Sequence, residues 1–574
     1  MFTTSAVATL IVVPNFMDPF SLPKLFLLSI GVGSISIVFL RNKHGRSSVF
    51  PKRMVQLFSL YIILYLVSAL ISSQNLNSIL LGGWGRNNGF LILIFIFIFF
   101  LASSVLNKDH QFSVLQYLYF LGLILCIYAW LEYFGKDFLV LLFPYLESPS
   151  FPILTFGNSN FASVFLAITF SATLAKFLDF SYLGFKAADK LIPFISIVLH
   201  CLLIPRIDTQ GKIAFGIGAA IVIYIFLLYS KFKVLKYSAP IFGVTSIIIG
   251  VAGVLGLFGA GPFAAELADN IRALNDRYYA WLTAINIIKE YPVFGIGPGN
   301  FVDNYRLFRL TSSPEIQSGQ YYLDFDDAHN TYLQVGATSG IPCMIAYISL
   351  IILVSVKGVK LLLKKSNSTT KTAGIFAIWI IYVVTSLISI DYIVLAIWGW
   401  ICAGSLFAIS SSNDLSNIEG PPNSKHFVSI PQNNLISNTF MLIMLSPSLY
   451  LLPSITQDMK VFEAIKSIPL SKSQEQFDLN TAHLANLGTR IDQAELRITI
   501  IDYLGYATAF DDAIVLAQYS TKKDPASFWA WEFLARSYEA QGRFKEAIPA
   551  RLKTLELDPL NSLIKSKILE NDSK

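Results

Sequence analysis

Charge is scarce in this sequence: Asp, Glu, Lys and Arg together make up 14% of 574 residues, where soluble domains carry about 25%. That shortage excludes a protein whose bulk is dissolved in water. Cysteine is scarcer still. Cys126, Cys201, Cys343 and Cys402 each lie within or beside an apolar run, and none stands in a Cys-x-x-Cys pair. This excludes a disulfide framework and a thiolate zinc site; a free thiol in such a run packs as a small hydrophobe. The N-terminus lacks the basic region and small-residue cleavage site of a secretory signal, so its first apolar run is read as retained. The net charge of +6 comes from basic residues scattered in loops between apolar runs, and so gives no basic face for nucleic acid.

Apolar sequence is abundant. Hydrophobic residues make up 54% of the chain, and runs of the length that spans a bilayer, about 17–25 residues, recur as far as Leu452. Spans are predicted near 4–14, 23–40, 54–72, 89–106, 113–133, 159–178, 191–206, 212–230, 237–259, 331–356, 373–390, 393–411 and 436–453. The first is short, and 373–411 reads as a helical hairpin turning near Asp391. The expected fold class is all-α: a polytopic transmembrane helix bundle of about 12–13 spans, with a large extracytoplasmic loop and a C-terminal helical-repeat domain.

Orientation follows from the Lys/Arg bias of short loops. Arg41, Lys43, Arg46, Lys52 and Arg53 lie in one loop, Lys231, Lys233 and Lys236 in a second, and Lys357, Lys360, Lys364, Lys365 and Lys371 in a third. The span order puts all three on one side, the cytoplasmic one, and puts the 260–330 loop and the chain after 453 outside. The expected organisation is 1–259 N-terminal transmembrane region, 260–330 catalytic loop, 331–453 C-terminal transmembrane region, 454–490 helical connector, 491–561 repeats and 562–574 tail. The cell (cytoplasmic, or inner) membrane is the expected location.

In the C-terminal part, Trp531, Leu534, Tyr538, Gly542, Ala547 and Pro559 fall at the spacing of a tetratricopeptide repeat. Phe510, Ala513 and Pro525 echo Phe544, Ala547 and Pro559 one period earlier, so a second, weaker copy is predicted over 491–525. Arrays of this kind bind protein segments, and the alternative is a helical stalk with no partner. Removing residues 491–574 is expected to leave the loop chemistry in place.

That chemistry is concentrated between 275 and 345. Arg277 and Trp281 are four apart and share a helix face. Pro292 stops the helix, and Gly295-Ile296-Gly297-Pro298-Gly299 is a tight turn needing a permissive backbone. His329 and Asn330 stand where polar loop becomes apolar helix, with Asp326 or Asp327 placed to cap it. Read by themselves, these residues have plain roles as well. Arg277 can pair with Asp276 or Glu290, His329 can cap or anchor, and Asp324, Asp326 and Asp327 can be a polar loop or a cation site. His200 reads as a helix-packing residue within a span, and His44, His110, His426 and His483 as solvated.

The region resembles the O-antigen ligase and polymerase family of membrane glycosyltransferases, with an R-x3-W helix, a P-x-x-G-x-G turn, and an H-N-x9-G-x-x-G motif opening a span. Arg277 to Trp281, Pro292 to Gly297, and His329-Asn330 followed by Gly340 carry it; Cys343 stands at the second glycine, and Thr338 where an acidic residue is common. Upstream, Gly85-Arg86-Asn87-Asn88-Gly89 resembles the family's early arginine loop and Thr155 to Asn160 its Asn-rich opening of a span. The usual Ser-Arg pair is replaced by Asp208-Thr209-Gln210-Gly211-Lys212, where Lys212 offers the cation.

The resemblance implies a GT-C-like fold and transfer of a glycan from a polyprenyl (undecaprenyl) diphosphate carrier to a hydroxyl on lipid, glycan or protein. It implies inversion of configuration and needs no metal or cofactor. His329 and Arg277 become the catalytic candidates, and Arg86, Lys212, Asn330, Trp281, Asn158 and Asn160 the substrate-binding ones. Arg86 and Lys212 are equally headgroup-level anchors, and Asn158 and Asn160 equally helix caps. The alternatives from other classes are a transporter of a small anion or glycolipid and a membrane scaffold using the repeat tail. Charged residues gathered at one surface, without internal repeats or broken helices at the midplane, favour the enzyme.

Overall fold

An apolar run in lipid has no water to satisfy its peptide groups, so it closes its own hydrogen bonds as a helix. The computed structural model describes residues 1–41, 49–72, 76–142, 151–179, 188–257, 268–322, 324–364, 368–415, 427–429 and 434–573. The expectations placed on Lys43, His44, Arg46, Lys365, His426 and the start of the large loop, 258–267, lie outside the described residues.

The N-terminal helices are α1 (Phe2–Leu10), α2 (Leu22–Arg41), α3 (Lys52–Ile71), α4 (Leu76–Leu81), α5 (Phe90–Ser104), α6 (Ser113–Tyr133) and α7 (Phe138–Leu142). Next come α8 (Ser159–Leu178), α9 (Ala188–Leu203), α10 (Thr209–Leu228) and α11 (Lys233–Leu257). The large loop holds α12 (Ala268–Glu290), α13 (Phe301–Phe308) and α14 (Pro314–Gln317). Then follow α15 (Thr331–Leu363), α16 (Thr369–Thr385), α17 (Ile393–Leu415) and α18 (Asn434–Ser467). The C-terminal part adds α19 (Gln474–Thr489), α20 (Ala494–Tyr506), α21 (Phe510–Lys523), α22 (Phe528–Ala540), α23 (Phe544–Leu557) and α24 (Ser562–Ser573). The strands among the described residues are β1 (Val49–Pro51) and β2 (Phe427–Ser429), an antiparallel pair.

The protein is an all-α polytopic bundle. Among the described residues, 7 helices are long and apolar enough to cross a membrane, and Leu22–Val38, Phe90–Ser104 and Thr369–Thr385 are shorter apolar ones. The predicted first span is corrected: α1 has 9 residues, about 14 Å at 1.5 Å per residue, half of a hydrocarbon core of about 30 Å. The other predicted spans fall on helices of at least 15 residues. At the centre, α8 packs against α6, α9, α10 and α16, and α17 packs against α5 and α16. In contrast, α11 lies at the periphery with Ile241, Ile247, Ile248 and Ile249 exposed, the face a lipid-facing helix presents.

Helix direction sorts the loops by end. The end of α3 and the starts of α10 and α15 meet the large loop, so Lys52, Arg53, Lys231, Lys357 and Lys360 lie at the opposite end. Across the expected boundary at 453, α18 runs on through Pro447 and Pro453 to Ser467, so the last span and the start of the connector share one helix. Beyond it, α20–α21 and α22–α23 form successive helix pairs with Ala513 and Ala547 fully buried at their crossings.

The C-terminal helices are not a free appendage. The carboxylate of Asp458 on α18 accepts from the backbone N–H of Met17 at 2.6 Å and from Trp84 Nε1 at 3.2 Å. Trp84 and Met17 pack on the apolar core of these helices. In the large loop, Arg306 and Arg309 reach Asp558 beyond α23. Residues 491–574, which the sequence reading treats as separable from the loop, thus contact it through Asp558.

Candidate active site

His329 is placed by its neighbours in the chain. Asn330 itself caps α15, its Oδ1 accepting from the N–H groups of Tyr332 at 3.1 Å and Leu333 at 3.0 Å. This corrects the expected cap by Asp326 or Asp327. Asp327 instead accepts from the His329 N–H at 2.9 Å. His329 has φ 49°, a left-handed conformation that costs an L-residue on the order of 1 kcal/mol. The imidazole stands edge-to-face with Phe325 at 5.6 Å, and the His329 carbonyl accepts from Trp281 Nε1 at 3.5 Å. Trp281 thus anchors α12 to the start of α15.

The glycine motifs fix the same junction. α15 breaks at Gly340, with φ 84°. The chain of the 292–297 turn lies so close that a Cβ there would sit 2.1 Å from the Val293 oxygen. A break leaves peptide groups without helical partners, and the turn supplies them. Ile341 N–H donates to Pro292 O at 2.8 Å, Ile296 N–H to Ala337 O at 3.0 Å, and Gly297 N–H to Thr338 O at 2.8 Å. Ser68 Oγ of α3 donates to Phe294 O at 2.6 Å and Thr338 O at 3.0 Å. Proline, glycines and kink form one joint, which holds the helix of Arg277 against the helix that His329 precedes.

Three loops bring charge to this joint. Arg86 Nε donates to Asp326 Oδ2 at 2.6 Å. With the amide of Gln210 turned to face it, the Gln210 side-chain oxygen accepts from Arg277 Nη1 at 3.0 Å and Nη2 at 2.9 Å. Gln210 is buried behind Asp208, the cap of α10, because Gly211 packs directly on Ser163 of α8. Asn160, with its amide nitrogen toward Asp208, donates to Oδ1 at 2.6 Å, and Asn158 caps α8. Lys212 is exposed on the first turn of α10. Of this loop it is Gln210, not the expected Lys212, that faces Arg277.

Burial pushes the His329 imidazole down to about 4, with Arg277 next in effect, Asp326 opposing it, and Arg86 adding to it. Its neutral form is therefore the resident one near pH 7. Burial raises the Asp327 carboxyl to about 7, helped by Asp326 and opposed by the His329 N–H and Arg86. The three aspartates that read as a cluster are taken by separate partners: Asp324 by Arg306, Asp326 by Arg86, Asp327 by the His329 backbone. His200 packs as expected, buried between Thr169 and Ser196.

Beside the joint a cavity runs from Arg86 and Asp327 down to Tyr61, Phe58, Ile96 and Trp400. Its mouth is charged and its depth apolar. A second cavity is lined by Asp18, Asn158, Phe161 and Tyr392. Arg86 and Asp391 line both. Asp391, in the turn between α16 and α17, was legible only as a hairpin turn; burial raises its carboxyl to about 7, against the pull of Tyr382. His329, Arg277, Arg86 and Trp281 are thus brought to one place, Asn158 and Asn160 flank it, and Lys212 is left outside.

No curated protein matches the chain. Residues 195–348, which run from α9 through Gln210, Arg277, the glycine turn and His329 to the far side of the Gly340 kink, match the model of the O-antigen ligase family, and this supports a membrane enzyme that transfers glycosyl groups, of the ligase or polymerase kind.

Proposed function

We propose that the protein transfers a glycan from a polyprenyl-diphosphate carrier to an acceptor hydroxyl at the outer face of the cytoplasmic membrane, with inversion and without a metal ion. The observation that carries this reading is the gathering of Arg86, Arg277 and Asp326 around His329, beside a cavity that Arg86 and Asp327 line together with the apolar Phe58, Ile96 and Trp400. The prenyl chain enters the apolar depth and the diphosphate meets the guanidiniums, which stay charged and offer paired donors to phosphate oxygens. The Arg86–Asp326 pair is exposed enough, at 35% and 43%, to be exchanged at small cost, since such pairs contribute about 0–1 kcal/mol.

In the reaction His329 takes the proton of the acceptor hydroxyl, and the oxygen forms its bond to the anomeric carbon from the face opposite the diphosphate. The carbon–oxygen bond to the carrier breaks, its electron pair stays on the diphosphate, and Arg277 and Arg86 meet the developing charge. A histidine held at about 4 is a weak base. The bound diphosphate offsets the arginines that depress it, so donor binding raises its basicity. The three basic loops at the other end support an outward site through the positive-inside bias. The paired helices beyond α19 are read as a tetratricopeptide-like array on that same side.

Purified protein with a lipid-diphosphate glycan donor and a hydroxyl acceptor tests the reading. A new glycosidic bond of inverted configuration, formed equally with and without chelator, is expected. Retained configuration or abolition by chelator contradicts it.

A further inference from the structure

The segment that leads into His329 is gripped at its two ends by different parts of the chain. At its far end the Tyr321 carbonyl accepts from Arg306 Nη1 at 2.7 Å and the Tyr321 hydroxyl meets Ser562 Oγ at 2.7 Å. Tyr322 lies against Trp529 at 5.9 Å and beneath the Arg536 guanidinium at 4.6 Å. Asp324 accepts from Arg306 Nη2 at 2.7 Å and from Trp529 Nε1 at 2.8 Å. At its near end Phe325 touches the His329 ring, Asp326 holds Arg86, and Asp327 holds the His329 N–H.

The grip at the far end is anchored by Asp558, just past α23. It accepts from Arg306 Nη1 at 3.0 Å and Arg309 Nη2 at 2.6 Å, and all three side chains are 0–1% exposed. Phe528 stacks under the Arg306 guanidinium at 3.9 Å. Buried charges held this way have one low-energy arrangement, because breaking it strands an ion away from water. Residues 324–328, held at Asp324, Asp326 and Asp327, then have little freedom, and His329 needs such support to hold its left-handed backbone.

We propose that the C-terminal helices are a positioning element for His329, with Asp558 and Trp529 acting on the reaction through the segment 321–329. This rests on the proposed role of His329 as base. The C-terminal helices are therefore part of the catalytic unit, and whatever binds them has a mechanical route to the site.

The test uses the full-length protein in detergent or nanodiscs, with Asp558→Asn and Trp529→Phe as variants. Trp529→Phe keeps an aromatic ring but loses the N–H donated to Asp324 together with the five-membered half of the indole, and decides the matter if Asp558→Asn fails to fold. Hydrogen exchange is expected to quicken at 325–330 as well as at 321–324. Turnover is expected to fall on the order of tenfold in Asp558→Asn, and less in Trp529→Phe, with the donor KM unchanged, as misplacement of a reacting group predicts. Faster exchange confined to 321–324 with unchanged turnover overturns the proposal. If the wild-type protein transfers nothing, the functional reading falls, and the exchange pattern still decides whether the tail holds His329 in place.

Discussion

Two arginine–aspartate arrangements tie the large loop to other parts of the chain and differ in their access to water. Arg86 and Asp326 are 35% and 43% exposed; Arg306, Arg309 and Asp558 are sealed at 0–1%. Ion pairs in water are weak and exchange readily, whereas a buried pair, once formed, is costly to break. The exposed pair can release its guanidinium to an incoming diphosphate. The sealed group cannot, and its use is geometric. Residue types that look alike in the sequence are thus divided by burial into a pair open to exchange, which the proposed function assigns to the substrate, and a sealed scaffold.

The largest expected effects break this division. Asp558→Ala leaves the buried Arg309 guanidinium without a counter-charge and Arg306 with Asp324 alone, and a loss of about 3–5 kcal/mol in stability is expected. Thermal unfolding of the purified variant measures it, and a change below about 1 kcal/mol, the range of a surface pair, contradicts the sealed reading. Arg277→Lys keeps the charge but loses the paired donors, and transfer should fall on the order of 10²-fold, as for loss of a main transition-state donor. Rates near wild type remove Arg277 from the site.

Smaller effects sharpen the comparison. Asp326→Asn should change stability by less than about 1 kcal/mol and tighten donor binding by freeing Arg86. Weaker binding means that the aspartate aligns the arginine instead of competing for it. The pH profile separates free and bound enzyme. With His329 depressed to about 4, kcat/KM should hold as pH falls through 6 and drop only as the imidazole protonates near 4. The limb in kcat should lie higher, because the bound diphosphate offsets Arg277 and Arg86. Coincident limbs argue against that coupling.

The membrane-embedded half was legible because lipid admits few backbone solutions: runs of apolar residues became helices in the predicted order, with α1 the exception for want of length. Arg277 and Trp281 were legible as a shared helix face and His329-Asn330 as the start of a helix, whereas Gly340 was marked only by the resemblance and its kink in α15 was not read. Gln210 was missed because the choice between it and Lys212 depends on the rotation of α10, which Gly211 sets by packing on Ser163. The union of tail and loop was also hidden. Arg306 and Asp558 are separated by 252 positions, and no periodicity in either segment announces the other.

The account stands or falls on His329. His329→Ala leaves a polar junction outside the core, so the protein should still fold, insert and bind the lipid-diphosphate donor. Initial rates of glycan transfer by the purified variant, with donor binding measured on the same preparation, are the direct measurement. Donor binding close to wild type with transfer reduced to background, unrestored in His329→Gln because an amide cannot take the proton, is the result predicted. Substantial turnover by the Ala variant would contradict it and leave His329 an anchor at the membrane surface.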